Sequence, residues 1–223
     1  MVKIERTNGE KARIAIISLE KERNKKSGTY NTLDVFDALN EMFHGKCYLC
    51  EQRGSYQIEH LVPHKGDKNL EFNWDNLFLA CPHCNNIKKE KYTPILDCTK
   101  EDVDKKIAFR KKGYWGTEEH LEFTALTNEP ETQMTVELLK EIHSGSTPQK
   151  RAEAKILYVR IIKSMREFKN YVLEYEKSNG QTKLDTLELI KRELRPTSEF
   201  TAFKRWLIRD AKNKYPELQQ YCQ

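Results

Sequence analysis

Residues 47–89 read CYLCEQRGSYQIEHLVPHKGDKNLEFNWDNLFLACPHCNNIKK. Two C-x-x-C pairs, Cys47/Cys50 and Cys81/Cys84, bracket a Glu59-His60 dipeptide and the segment Trp74-Asp75-Asn76-Leu77, and Asn85 directly follows the last cysteine. Four thiolates paired in this way can close the tetrahedral shell of a structural zinc ion, at about 2.3 Å per sulfur. The interval between the pairs is longer than in a zinc ribbon, so something is inserted between the knuckles. The competing reading, disulfides of a secreted domain, calls for a leader, and residues 1–9 (MVKIERTNG) hold no apolar stretch of that kind. Cys98 and Cys222 lie outside the pattern and read as ordinary thiols.

Between the knuckles, Ile58-Glu59-His60-Leu61-Val62-Pro63-His64 sets an imidazole beside a carboxylate after a strand-like apolar residue. Hydrolysis of a phosphodiester needs both parts, a base to deprotonate water and an oxygen ligand for a hard divalent ion. A Glu-His pair alone is often just a surface dipeptide. The order His60, Asn76, Asn85 within one zinc-stapled segment is a stronger signal.

This segment resembles an HNH endonuclease of the zinc-bearing ββα-metal variety. The pattern C-x-x-C, [DE]-H, N-L, C-x-x-C-N-x-x-K is met by Cys47/Cys50, Glu59-His60, Asn76-Leu77 and Cys81/Cys84 with Asn85 and Lys88. The resemblance implies that His60 is the general base and that Glu59 and Asn85 hold a catalytic Mg²⁺ or Mn²⁺. It also implies that Asn76 braces the loop and orients His60, and that the four cysteines bind structural Zn²⁺. One departure stands out: the acidic ligand is more often Asp, and Glu59 is a methylene longer. The implied products are 5′-phosphate and 3′-hydroxyl ends. His64, His83, Lys88 and Lys89 are further candidates for contact with nucleic acid. His83 lies inside the second knuckle and His64 in the loop after Pro63, while the two lysines sit in the expected helix as phosphate clamps. A solvated surface is the plain alternative for each.

The rest of the 223-residue chain is 33% charged and 38% hydrophobic, with a net charge of +5. No apolar run is long enough to span a bilayer, so a cytoplasmic protein without membrane contact is expected. Residues 1–115 carry 21 Lys and Arg against 17 Asp and Glu, and the remainder 18 against 17. That slight asymmetry suits nucleic-acid contact through the first half, although ordinary scatter explains it nearly as well. A short strand-like piece, Val2-Lys3-Ile4, precedes a helix-prone run over 14–26 that ends in the basic Arg23-Asn24-Lys25-Lys26. Thr32 reads as an N-cap, followed by Leu33, Phe36, Leu39, Met42 and Phe43 at helical spacing. Residues 92–96 read as extended and 102–112 as helix-compatible. Tyr114-Trp115-Gly116 marks a soft boundary, with an aromatic pair that could stack on a nucleotide.

Beyond it the pattern is helical. Pro148 opens a helix and Asn179-Gly180 closes it, with Ala154, Tyr158, Ile161, Met165, Phe168, Val172 and Tyr175 on one seam. Helices around 184–194 and around Phe200, Phe203, Trp206 and Leu207 offer that seam an intramolecular partner, and a second protein is the alternative. The expected architecture is α+β, a small zinc-stapled ββα unit among helices followed by an all-helical half. Residues 1–115 form the nuclease domain, with its core at 47–89, and residues 116–223 a helical partner-binding region.

A looser resemblance covers more of the chain. VKIER, CYLCE, IEHLVPHKGD, WDNLFLACPHCNNIK and FTAFKRWLIRD are similar to the PtuB family, the HNH subunits of Septu anti-phage systems, whose relatives accompany some retrons. It implies a DNA-cutting defence effector working with an ATPase subunit of the PtuA type. Two alternatives are an RNA-cleaving effector acting on transfer RNA and a zinc-stapled module that binds nucleic acid or a partner without cutting.

Overall fold

The computed structural model describes residues 1–54, 56–113 and 117–223. Helix α1 (Glu10–Arg23) packs on α2 (Leu33–Met42). The Thr32 side chain caps α2 by accepting from the Val35 N–H, and Val35, Ala38, Leu39 and Met42 form its inner face. A glycine-ended turn then delivers Cys47. Strand β1 (Gln57–His60) pairs antiparallel with β2 (Leu77–Ala80), setting Glu59 opposite Phe78 and His60 opposite Leu77. All four residues of β2 are buried, as expected of a continuous apolar run enclosed on both faces. The chain between the strands forms a loop with one short helix, α3 (Lys68–Glu71). Helix α4 (Pro82–Lys88) follows β2, with Pro82 in its first turn and the Cys81 sulfur accepting from the Cys84 N–H. The result is the ββα unit, with α4 laid against β1.

Two expected elements take another form. Residues 2–4 are not a strand, and the Ile4 N–H reaches the Cys98 carbonyl in isolation at 2.9 Å. The helix-compatible run 102–112 divides into a single turn, α5 (Val103–Lys106), and strand β3 (Ile107–Lys112). Strand β3 pairs with β4 (His120–Ala125), and Phe109 meets Phe123 edge to face across the ladder at 5.4 Å. Cross-strand packing thus prevails over the helical propensity of the lysines. Strand β4 lies beyond residue 115, and residues 114–116, where the boundary and the stacking pair were expected, lie outside the described residues.

The helical part comprises α6 (Pro130–Ser144), α7 (Pro148–Lys177), α8 (Gly180–Leu194) and α9 (Thr201–Asp210). Gly145, at φ +71°, ends α6 and lets the chain turn into α7, which Thr147 caps through the Lys150 N–H. Along α7 the buried positions are Ala154, Leu157, Ile161, Phe168, Val172 and Tyr175. Tyr158 and Met165, expected on this seam, are half-buried, and Leu157 holds an inward position instead. Helices α6 and α8 both pack on α7, so the seam finds its partners within the chain. One buried cluster extends from Met1 through the cysteine segment to Trp206. Among the described residues, no helix is long and apolar enough to cross a membrane.

Helix α9 is fastened beneath the hairpin by a buried carboxylate. Asp104 has no exposed side-chain surface and meets Arg205 at 3.3 Å and Arg209 at 2.8 Å, while Trp206 Nε1 donates to the Asp104 and Ile107 carbonyls. Removing one partner of a buried pair strands the other's charge. Asp104→Ala is therefore expected to cost about 3–5 kcal/mol in urea unfolding, and a loss below about 1 kcal/mol would show that solvent reaches these arginines.

Candidate active site

The cysteine cluster is assembled from two turns. Cys47 and Cys50 lie in a tight loop closed by the Glu51 N–H to the Cys47 carbonyl, with Glu51 at φ +63°, and Cys81 and Cys84 lie at the start of α4. The four sulfurs lie within 4.8 Å of one another, all four residues are buried, and Cys50 Sγ stands 3.8 Å from Cys81 Sγ. None is in a disulfide. A tetrahedron with metal–sulfur bonds of about 2.3 Å has edges of ~3.8 Å, so this donor set fits zinc. The charges agree with that fit. Bonds from Cys47, Cys50 and Cys84 hold the Cys81 thiol below its ordinary pKa, whereas burial pushes Cys50 and Cys84 up. Cys98, outside the cluster, is buried and pushed up to about 12 by desolvation.

His60 ends β1 at the wall of a groove of about 300 Å³, which is also lined by Tyr30, Glu59, His64, Lys65, Asn85 and Lys89. Its Nε2 lies 2.9 Å from the Glu71 carbonyl oxygen. A carbonyl only accepts, so Nε2 carries the proton and the neutral ring keeps its lone pair on Nδ1. Nδ1 has no hydrogen-bond partner among the described residues. Burial holds the His60 pKa below the ordinary histidine value, against the raising effect of the Glu71 bond, and keeps that lone pair available at neutral pH. The Tyr30 ring stands edge-on to His60 at 4.5 Å, and the His64 ring lies 4.7 Å away.

Asn76 spans the loop that positions this histidine. Its Oδ1 accepts from the Val62 N–H at 2.8 Å, and its Nδ2 donates to the Val62 and Leu70 carbonyls at 2.9 and 3.0 Å. Every polar atom of the side chain therefore serves to close loop 61–76, whose residue Glu71 orients the His60 ring. On α4, Asn85 donates Nδ2 to Gln57 Oε1 at 2.9 Å, and on the groove its Oδ1 has no hydrogen-bond partner among the described residues.

Glu59 occupies a different setting from its neighbour. Its Oε1 meets Lys88 Nζ at 2.5 Å and its Oε2 accepts from the Tyr48 hydroxyl at 2.8 Å, with all three side chains buried. Burial raises the Glu59 pKa, and Lys88 and Tyr48 oppose that rise. Both oxygens are thus engaged, and one of them already holds a cation. The donor set of Glu59 and the free Asn85 Oδ1 fits a hard divalent ion in kind, since both line the groove. An ion at Glu59 would compete with the Lys88 ammonium.

Two of the expected nucleic-acid contacts are corrected. Lys88 is not a phosphate clamp: it is 0% exposed and spends its ammonium on Glu59 and on the His60 carbonyl at 2.9 Å. His83 faces neither groove nor solvent. Its Nε2 lies 2.8 Å from the Ile142 carbonyl of α6 and its Nδ1 2.6 Å from Glu153 Oε2 of α7, so the knuckle's side chain points into the helical part. His64 and Lys89 do line the groove. The basic end of α1 is tied to α3, where Lys68 donates to the Arg23 and Lys25 carbonyls and Arg23 to Asn69. Tyr30, Glu71, Gln57 and Tyr48 all support the site, and no motif in the sequence marks them.

Residues 47–91 match the HNH endonuclease family model. The chain is similar to the Septu protein PtuB of Bacillus mycoides (strain KBAB4), at 35% identity over 30% of this chain and 28% of that protein. The Septu protein PtuB of Bacillus thuringiensis is 39% identical over 28% of this chain and 27% of its own length. The aligned part thus spans under a third of these curated relatives. No solved structure matches the chain.

Zinc bound at four buried sulfurs would be inseparable from the folding of the unit around it. Cys81→Ser is expected to lose stoichiometric zinc by metal analysis and to abolish cooperative unfolding of the ββα unit. Unchanged thermal unfolding in the variant would remove the cysteine cage from the fold's support.

Proposed function

We propose that the chain is a metal-dependent HNH endonuclease that hydrolyses phosphodiester bonds of DNA as the effector of an anti-phage defence complex with an ATPase subunit of the PtuA type. The observation that carries this reading is His60, held by the Glu71 carbonyl in the tautomer with a bare Nδ1, on a groove it shares with Asn85. A base with its proton fixed on the outer nitrogen is ready to take one from water on the inner. A Mg²⁺ or Mn²⁺ held by Glu59 and Asn85 would supply Lewis-acid stabilisation of the charge that develops on the phosphate and the leaving 3′ oxygen. The chain's own groups do the rest. Asn76 and Glu71 fix the angle of His60, Tyr30 packs against its ring, and His64 and Lys89 offer donors to phosphate oxygens at the rim. Phosphate contacts of this kind position a strand without reading its bases, so weak sequence preference is expected.

The partner-facing surface belongs, in this reading, to residues 116–223. On α7, Ile156 and Val159 stand 64% and 59% exposed, one turn apart and outside the seam buried against α6 and α8. Replacing both with Glu is expected to break co-purification with the ATPase subunit while leaving thermal unfolding unchanged, and retained co-purification would move the interface elsewhere.

His60→Ala is the direct test of the nuclease reading. Loss of a general base typically costs 10²–10⁴-fold in rate, so the variant is expected to lose cleavage of duplex DNA in Mg²⁺ or Mn²⁺ while keeping its zinc and its fold. Cutting of transfer RNA in preference to DNA would move the substrate to RNA. Cutting that survives the substitution would sink His60 as the base, and native protein that holds zinc and its partner but cuts neither substrate would favour the binding module.

A further inference from the structure

A second cavity, of about 320 Å³, opens between β4, α6 and α7 and shares no lining residue with the catalytic groove. Lys140, Arg151 and Lys155 border it, and none of the three pairs with a carboxylate among the described residues. The acidic group on the rim, Glu119, is already satisfied by Lys111 Nζ at 3.1 Å and by the Tyr158 hydroxyl at 3.1 Å. Three cations held near one concavity without counter-charge favour an anion there. Arg151 and two lysines are also the side chains best suited to phosphate oxygens.

A second observation comes from the cavity wall. His143 lies between Phe123 at 4.7 Å and Phe203 at 6.2 Å, and its Nδ1 is 2.7 Å from the Leu139 carbonyl. The carbonyl fixes the proton on Nδ1, so Nε2 is a lone-pair acceptor, and this nitrogen is buried without a partner. Burial holds the ring neutral, with its pKa lowered to about 4. A buried acceptor left unmatched costs stability unless something donates to it. His143 Nε2 is closed off from the cavity, and a ligand suited to the cavity combines an anionic group with a body that packs on Leu121, Phe123 and Ala154. The volume lies at the small end of the roughly 300–1,000 Å³ range of small-molecule sites.

We propose that this cavity is a binding site for a phosphomonoester of mononucleotide size, its phosphate met by Lys140, Arg151 and Lys155 and its body packed on the apolar wall. The same chemistry is presented by a free nucleotide and by the 5′-phosphate end of a strand. The test is isothermal titration calorimetry of the full-length chain with 5′-AMP, adenosine, inorganic phosphate and a 5′-phosphorylated single-stranded oligonucleotide. AMP or the oligonucleotide is expected to bind, the tighter of the two naming the source, and adenosine to fail. Lys140 and Lys155 are exposed and unpaired, so Lys140→Ala with Lys155→Ala should keep the thermal unfolding profile and weaken binding by roughly tenfold or more. Lys89→Ala, at the catalytic groove, should leave binding unchanged. The proposal is overturned if no phosphomonoester binds, if inorganic phosphate binds as tightly as AMP, or if only the Lys89 variant loses affinity.

Discussion

An ammonium group with no access to water joins strand and helix of the ββα unit. Lys88 Nζ lies 2.5 Å from Glu59 Oε1 and 2.9 Å from the His60 carbonyl, so one side chain of α4 grips two consecutive residues of β1. Burying a lysine and a glutamate is costly, and their attraction offsets that cost only where the remaining hydrogen-bonding groups are matched. The Tyr48 hydroxyl supplies the missing donor to Glu59. This pairing sets the distance between strand and helix, and with it the relation of His60 to Asn85 across the groove. The cysteine cage ties the same helix to the preceding loop, so α4 is held at its first turn by sulfur and at its last by charge. Between those two anchors lies Asn85.

The sequence made the ingredients of this site legible but not all of their orientations. Thiol spacing announces a metal cage because few other arrangements of four cysteines give two C-x-x-C pairs, and the His60, Asn76 and Asn85 order fixes the ββα reading. The Thr32 and Thr147 caps and the α7 seam were equally readable, since periodicity and capping act locally. The burial of Lys88 was not readable, because a lysine after a helix turn is normally solvated, and the partner that draws it inward is 29 residues away in sequence. Tyr30 and the Glu71 carbonyl escaped for the same reason: their contribution is a position in space and not a residue type at a spacing. Strand β4 escaped because its sequence, HLEFTA, buries one residue, Phe123, and carries little period of its own.

The direction of His83 bears on how the helical part relates to the chemistry. A knuckle side chain in a free-standing zinc unit would face solvent. Here Nε2 lies 2.8 Å from the Ile142 carbonyl on α6 and Nδ1 2.6 Å from the Glu153 carboxylate on α7. Helix α4 therefore has α6 and α7 as part of its second wall, and the buried cluster that runs from Met1 to Trp206 has no break at residue 115. The ββα unit and the helices fold around a shared core.

That shared core constrains any account of regulation. His83 is flanked by Cys81 and Cys84, and Asn85 is the next residue in the chain, so a displacement of α7 that moved Glu153 would pull on the turn that presents Asn85 to the groove. A surface contact on the outer face of α7, where Ile156 and Val159 are exposed, is one helical turn from Glu153. Contacts made there by another molecule would bear on Glu153, and through its 2.6 Å contact with His83 Nδ1 on the turn that precedes Asn85.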